Sequence, residues 1–218
     1  MRFIHIVFIF FMALFFAGCP ASKGKFTLQN PEFQNYQNIN SAKGVVFIAS
    51  VNDKREFEDT PKNASIPSVH NRQVESLNAK EKDKYIARKR NSYGKAMENI
   101  VLDGNQTVTN LVKTSVARAF ANNGFYVLND EKQINQNTII LKVDVLKFWS
   151  FFRPGFWSVA VNTHIKSDVS TGSKNITTDV DHMEKFQMVL DRDYQKVTND
   201  ALRIYEKQLT DKIAQEFK

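Results

Sequence analysis

Thr138-Ile139-Ile140-Leu141-Lys142-Val143-Asp144-Val145-Leu146-Lys147-Phe148-Trp149, then Phe152-Arg153-Pro154-Gly155, then a second run from Trp157 to Ser170: this stretch decides the fold. Both runs are rich in β-branched and aromatic residues, and the Pro-Gly step between them is a turn signal. In the second run Val159, Val161, Thr163 and Ile165 alternate with Ala160, Asn162, His164 and Lys166, which gives a strand one buried and one wet face. The economical reading is a β-hairpin. Downstream, Thr171-Gly172-Ser173-Lys174-Asn175 is another turn, and Ile176 to about Val189 returns as a further strand. From Asp193 onward Val197, Ala201, Ile204, Tyr205, Leu209, Ile213 and Phe217 keep helical spacing, with Asp191 or Asp193 at the N-terminus.

Upstream, Thr107 to Asn123 reads as an amphipathic helix carrying Leu111, Val112, Val116, Ala119 and Phe120 on one face. Asn105 or Thr107 can cap it, and Gly124 can end it in the left-handed region before the strand Phe125-Tyr126-Val127-Leu128. Val45 to Val51 is a short β-branched run and predicts a buried first strand. Between Arg55 and Asp103 no clean period survives, and Pro61, Pro67 and Gly94 interrupt. The segment predicts a long irregular excursion with a helical turn near Ala79 to Lys89. Strand, excursion, helix, strand, hairpin, strand, helix predicts an α+β domain over residues 43–218: a mostly antiparallel sheet of about five strands with two amphipathic helices packed on one face.

The beginning of the chain says where the domain works. Phe3 to Phe16 is an apolar run too short for a comfortable membrane span, and Phe16-Ala17-Gly18-Cys19 contains the only cysteine. The pattern resembles the signal sequence and lipobox of a bacterial lipoprotein. It differs in having Phe16 where Leu is usual. The resemblance implies a signal peptide over 1–18, cleavage before Cys19, and covalent diacylglycerol with an N-acyl chain such as palmitate on Cys19. No cysteine is then left for a disulfide. Residues 19–42 are polar and amide-rich and read as a tether; Phe26 to Leu28 has an alternative reading as an edge strand. Pro20, where an Asp would mark inner-membrane retention in enteric bacteria, favours the outer membrane of a Gram-negative cell, facing the periplasm.

A lipobox, a first strand ending in Val51-Asn52-Asp53-Lys54-Arg55, a helix ending in Asn123-Gly124-Phe125-Tyr126-Val127, a hairpin and a C-terminal helix together resemble the YajG-like family of bacterial lipoproteins. The segment Ile86-Ala87-Arg88-Lys89-Arg90-Asn91-Ser92-Tyr93-Gly94-Lys95-Ala96 is similar to an uncharacterised branch of that kind. The resemblance implies a cell-envelope protein and brings no enzyme activity or cofactor with it. The long excursion departs from shorter family members.

Two surface features stand out. The formal charge is +7, and between Lys80 and Lys95 seven basic residues face Glu81 and Asp83. Lys84, Arg88, Lys89, Arg90 and Lys95 are the candidates for contact with an anionic lipid, lipopolysaccharide or an acidic envelope protein; a solvated face is the other reading. The exported address argues against nucleic acid. Second, Trp149, Phe152, Phe156 and Trp157 crowd one turn. They either enter a membrane interface or partner surface, or close the core with Trp149 and Trp157 as cross-strand neighbours.

Chemistry is harder to find. His70, His164 and His182 are scattered, His182-Met183-Glu184 lacks companion cysteines, and no HExxH, GxSxG, phosphate loop or GxGxxG occurs. Asp53 with Arg55 reads as a local ion pair. The sequence therefore predicts no catalytic residue, no metal site and no cofactor beyond the lipid on Cys19. It points to a non-enzymatic tether, scaffold or accessory factor of an envelope assembly. The alternative is a carrier or sensor of an amphiphilic lipid or glycan held between sheet and helices.

Overall fold

The computed structural model describes residues 24–31, 33–35, 38–69, 74–91, 95–155 and 157–218, so Cys19 and the signal segment lie outside the described residues. In chain order its elements are β1 (Lys25–Phe26), β2 (Gly44–Asp53), α1 (Ala79–Lys82), β3 (Tyr85–Arg90), β4 (Ala96–Leu102), α2 (Val108–Asn122), β5 (Phe125–Leu128), β6 (Thr138–Pro154), β7 (Val159–Ser170), β8 (Asn175–Phe186) and α3 (Asp191–Glu216).

The hairpin read from the sequence is present and organises everything else. β6 runs for 17 residues and pairs antiparallel with β7 from Lys142↔Ser170 to Pro154↔Val159. β7 in turn pairs antiparallel with β8. Val161, Thr163, Ile165, Ser167 and Val169 are buried on one face of β7, as the alternation requires, while Asn162 is also buried on the other. On its second edge β6 changes neighbour. Its first half pairs parallel with β2 up to Asp53↔Val145, and after a bulge at Leu146 its second half takes up β3, parallel at Ala87↔Ser150. A bulge bends a strand and increases its twist, which lets one long strand serve two partners in succession.

The helices lie where their apolar stripes demand. The Thr107 hydroxyl accepts from the Asn110 N–H to cap α2, and Gly124 ends it with φ 84°. At the start of α3 the Asp193 carboxylate accepts from the Leu190 N–H at 2.7 Å. α2 covers β2 and β5, and α3 covers β7 and β8. The helices are joined by Arg118, whose guanidinium donates to both Glu206 oxygens at 2.6–3.0 Å. Phe120, Phe125 and Phe217 meet edge to face with centroids 5.3–5.8 Å apart. Each fully buried side chain of this size stabilises the fold by about 1.5–3 kcal/mol relative to exposure.

Three expectations need correction. The sheet has eight strands and is mixed, with a parallel core β5-β2-β6. The helical crossover through α2 from β2 to β5 is the reason, since parallel neighbours require such a connection. Residues 55–103 are not an irregular excursion throughout: a capped turn of helix spans Ala79–Lys82, and Tyr85 to Lys89 is strand rather than helix, hairpinned onto β4. Among the described residues the α-helices are the two amphipathic ones expected and α1, the short turn expected near Ala79. Finally, part of the polar stretch read as a tether is docked, in line with the alternative reading of an edge strand near Phe26 to Leu28. Phe26 and Leu28 are buried, β1 pairs parallel with β4, and Gln106 exchanges hydrogen bonds with the Leu28 backbone at 2.8 Å.

The Asp53–Arg55 ion pair is present and does more than a turn contact would. Arg55 has a fully buried side chain, bidentate to Asp53 at 2.7 and 2.8 Å. It also donates to the carbonyls of Lys82, Tyr85 and Phe148 at 2.7–2.9 Å and lies 5.3 Å from the Phe57 ring centroid. One guanidinium thus ties together the end of β2, α1, β3 and β6.

Candidate functional site

Strand directions bring the sequence's two surface features to one end of the sheet. β3 and β6 run parallel, so Arg90 at the end of β3 stands near Arg153 and Pro154 at the end of β6. β4 starts at the same end, because Arg90 pairs with Ala96. β8 returns there too, with Phe186 opposite Val159, before the chain turns into α3. Three connections therefore surround a groove of about 610 Å³. Phe152, Val159, Met97, Met188 and Val189 supply apolar walls, Lys89 and Arg90 a basic side, and Tyr194 part of the lining.

The electrostatics are mixed. Lys89 is paired with Asp191 at 2.7 Å, half-buried on both sides. Burial, and then the neighbouring Arg90, push the Arg88 pKa below its ordinary value. Arg88 donates to the Met97 carbonyl and the Ser68 hydroxyl at 3.1 Å, away from the groove. Tyr194 is buried, and burial followed by the charge of Asp191 pushes its phenol pKa upward.

The five basic candidates thus separate. Lys89 and Arg90 line the groove and Lys95 lies just beyond them, exposed. Lys84 sits at the opposite end of β3, donating to the Gly104 carbonyl at 2.7 Å. The aromatic candidates separate as sharply. Trp149 is buried, stacks edge-on against Phe57 at 6.1 Å, and donates its indole N–H to the Ala64 carbonyl at 3.2 Å. Phe152 is buried in the groove wall, Trp157 is 83% exposed, and Phe156 lies outside the described residues. Trp149 stands opposite His164 on β7, so the two tryptophans are not cross-strand neighbours. The sequence reading missed Met97, Met188 and Tyr194; the apolar triplet Met188-Val189-Leu190 ahead of α3 was the available signal.

Elsewhere several polar groups pair within the fold, while Asn162 Oδ1, Thr178 Oγ1 and His182 Nε2 are buried without a hydrogen-bond partner among the described residues. Ser150 hydrogen-bonds the Thr163 and Thr198 hydroxyls at 2.7 Å, all three buried, and Ser167 meets the Tyr205 hydroxyl at 2.6 Å. His164 reaches Asp179 at 2.7 Å on the outer face of the sheet, with Lys166 on the other carboxylate oxygen at 2.9 Å. His182, Glu184 and Asp200 place ligand-type atoms within 4.8 Å of one another. The Lys196 ammonium pairs with Glu184 and, at 3.1 Å, with Asp200, and so supplies the positive charge there. Between sheet and helices, where a carrier would hold its ligand, Val46, Leu111, Val112, Phe120, Val197 and Leu209 are all at 0% exposure.

No protein-family model matches the sequence, and no curated protein matches it. Among solved structures, the chain is similar to the crystal structure of an uncharacterised protein, at 12% identity and TM-score 0.44, covering 90% of this chain and 99% of that one. It is also similar to protein XCC0632 from Xanthomonas campestris, of family DUF330, at 14% identity and TM-score 0.48, covering 88% and 95%.

Proposed function

We propose that this chain is a YajG-like lipoprotein, held by a lipid on Cys19 at the periplasmic side of a Gram-negative outer membrane, and that it acts without catalysis as a tether, scaffold or accessory factor of an envelope assembly. The observation that carries the reading is the convergence of the basic and aromatic segments on one groove. A surface that gathers Met97, Met188, Phe152 and exposed Trp157 beside Lys89 and Arg90 is built for contact rather than turnover. Anchoring adds to this, because confining a domain near one membrane raises its effective concentration for weak partners there.

Crosslinking in cells, followed by identification of captured proteins, tests the reading. A recurrent envelope protein, lost on Cys19→Ser, is the expected result. Full complementation by the Cys19→Ser form, with no recurrent adduct, would remove the scaffold reading.

A further inference from the structure

The groove end also carries most of the molecule's misplaced apolar surface. Six large hydrophobic side chains are exposed among the described residues, and four of them border this end: Trp157 at 83%, Met188 at 70%, Met97 at 45% and Leu190 at 41%. They come from β4, the β6–β7 turn and the β8–α3 connection, three separate segments brought together by the fold. Around them stand Lys89, Arg90, Lys95, Arg153, Lys185 and Arg192, against Glu98, Glu184, Asp191 and Asp193. Asp191 and Lys89 engage each other and drop out together, while Glu184 is engaged by Lys196 and Asp193 by the Leu190 N–H.

The path of the N-terminal chain points the same way. Gly24 is wedged against the β3–β4 hairpin: a Cβ added there would lie 3.0 Å from Lys89 Cε and from Ile100 Cγ1. The Val101 N–H donates to the Gly24 carbonyl at 2.8 Å. Because β1 is parallel to β4 with Lys25 opposite Val101, tracing back from Lys25 leads toward the end of the sheet where β4 begins at Ala96. Gly24 stands four residues short of that end, about 13 Å at the rise of a strand. Only five residue steps separate Gly24 from Cys19, a reach of at most about 17 Å. A lipid on Cys19 is therefore just able to clear this end of the sheet and is far short of the opposite one, where the β7–β8 turn lies.

We infer that the groove end rests on the bilayer itself, with Trp157, Met188, Met97 and Leu190 entering the interface and the surrounding basic side chains at headgroup level. The proposal deepens the lipid-anchored reading above and rests on it. It converts the anchor from a long leash into a short one that orients the domain. Indole rings favour this zone, and long basic side chains extend from it to the phosphates. The modest excess of basic over acidic residues makes anionic lipid helpful rather than essential. The helix layer and the β7–β8 turn then face the periplasm, open to a protein partner.

The test uses the mature full chain reconstituted in vesicles of phosphatidylethanolamine and phosphatidylglycerol, with or without phospholipids brominated near the headgroup. Trp157 emission is isolated by subtracting the Trp157→Phe variant. Brominated lipid is expected to quench that emission roughly two-fold or more, as for an interfacial indole. In the unacylated Cys19→Ser chain, where binding to the same vesicles is reversible, Arg153→Gln/Lys185→Gln is expected to weaken binding by roughly five-fold per residue as the anionic fraction rises. Trp157 quenched by aqueous acrylamide but not by brominated lipid would overturn the proposal. Protection from both quenchers would overturn it as well and mark the end as covered by protein. The mass of the mature chain reports separately on acylation of Cys19, so loss of the anchor reading and loss of the docking surface are told apart.

Discussion

Two regions of the molecule break the usual rule of apolar inside and charged outside in opposite directions. Around Arg55 a full charge is buried, yet every contact it makes is a good one: a bidentate carboxylate, three carbonyls and a ring face. At the groove end, where β3 finishes, exposed hydrophobic side chains from β4, the β6–β7 turn and the β8–α3 connection stand beside charged ones. A satisfied buried charge closes a structure, because removing either partner strands the other. An exposed apolar cluster leaves it open to something else. The difference separates what β3 does for the fold from what it offers a surface.

The sharpest way to break this contrast is to take the charge out of the knot. Arg55→Met leaves Asp53 without its buried partner and orphans the carbonyls of Tyr85, Phe148 and Lys82, and should cost about 3–5 kcal/mol of unfolding free energy in urea titrations. Arg55→Lys should recover little, since an ammonium cannot replace the planar fork. A near-neutral result for both would mean the knot is incidental. Next comes Ser167→Ala, which leaves the Tyr205 hydroxyl without its partner inside the core and should cost about 1–3 kcal/mol.

The same tyrosine gives a pH signature. Burial raises the phenol pKa of Tyr205, and of Tyr194 beside the groove, above the ordinary value of 10.0. Below that value both folded and unfolded chains keep the phenols neutral and the contribution is fully present. As the pH rises past it, the unfolded chain loses protons that the folded chain retains, so stability falls. Tyr205→Phe should flatten the decline above about pH 10 in pH-jump denaturation. An unchanged slope would place the dependence elsewhere.

How much of this was legible depends on where each element buries its sides. β7 and the two long helices announced themselves because one face of each is apolar at a fixed period, and Thr107 and Gly124 marked the ends of α2. β3 and β4 did not, since Ile86-Ala87-Arg88-Lys89-Arg90 puts charge on both faces and only its first residues are fully buried. β1 is two residues long and carries no period at all. Parallel pairing was hidden for a different reason: alternation shows a buried face and is silent on the direction of the neighbour. The site fared similarly. A linear cluster of basic residues does not reveal that Arg88 turns to Ser68 while Lys89 and Arg90 face the groove, and an isolated methionine such as Met97 gives no signal until the fold brings it to the groove that Met188 also lines.

The smallest expected effect on stability is also the most discriminating, because it sets two tryptophans of one hairpin against each other. Trp149→Ala empties a site sealed by Phe57 and Ala64 and should cost about 3–5 kcal/mol. Trp157→Ala removes a side chain that is 83% exposed, and its unfolding free energy should stay within about 0.5 kcal/mol of the parent. If Trp157 were there for the fold, the two substitutions would converge. If the groove end is a contact surface, the unaltered stability of Trp157→Ala must coincide with weakened binding to vesicles when the substitution is made in the unacylated Cys19→Ser chain. A variant with full stability and full attachment would leave the exposed indole with no role, and the contrast between the closed knot and the open end would lose its functional half.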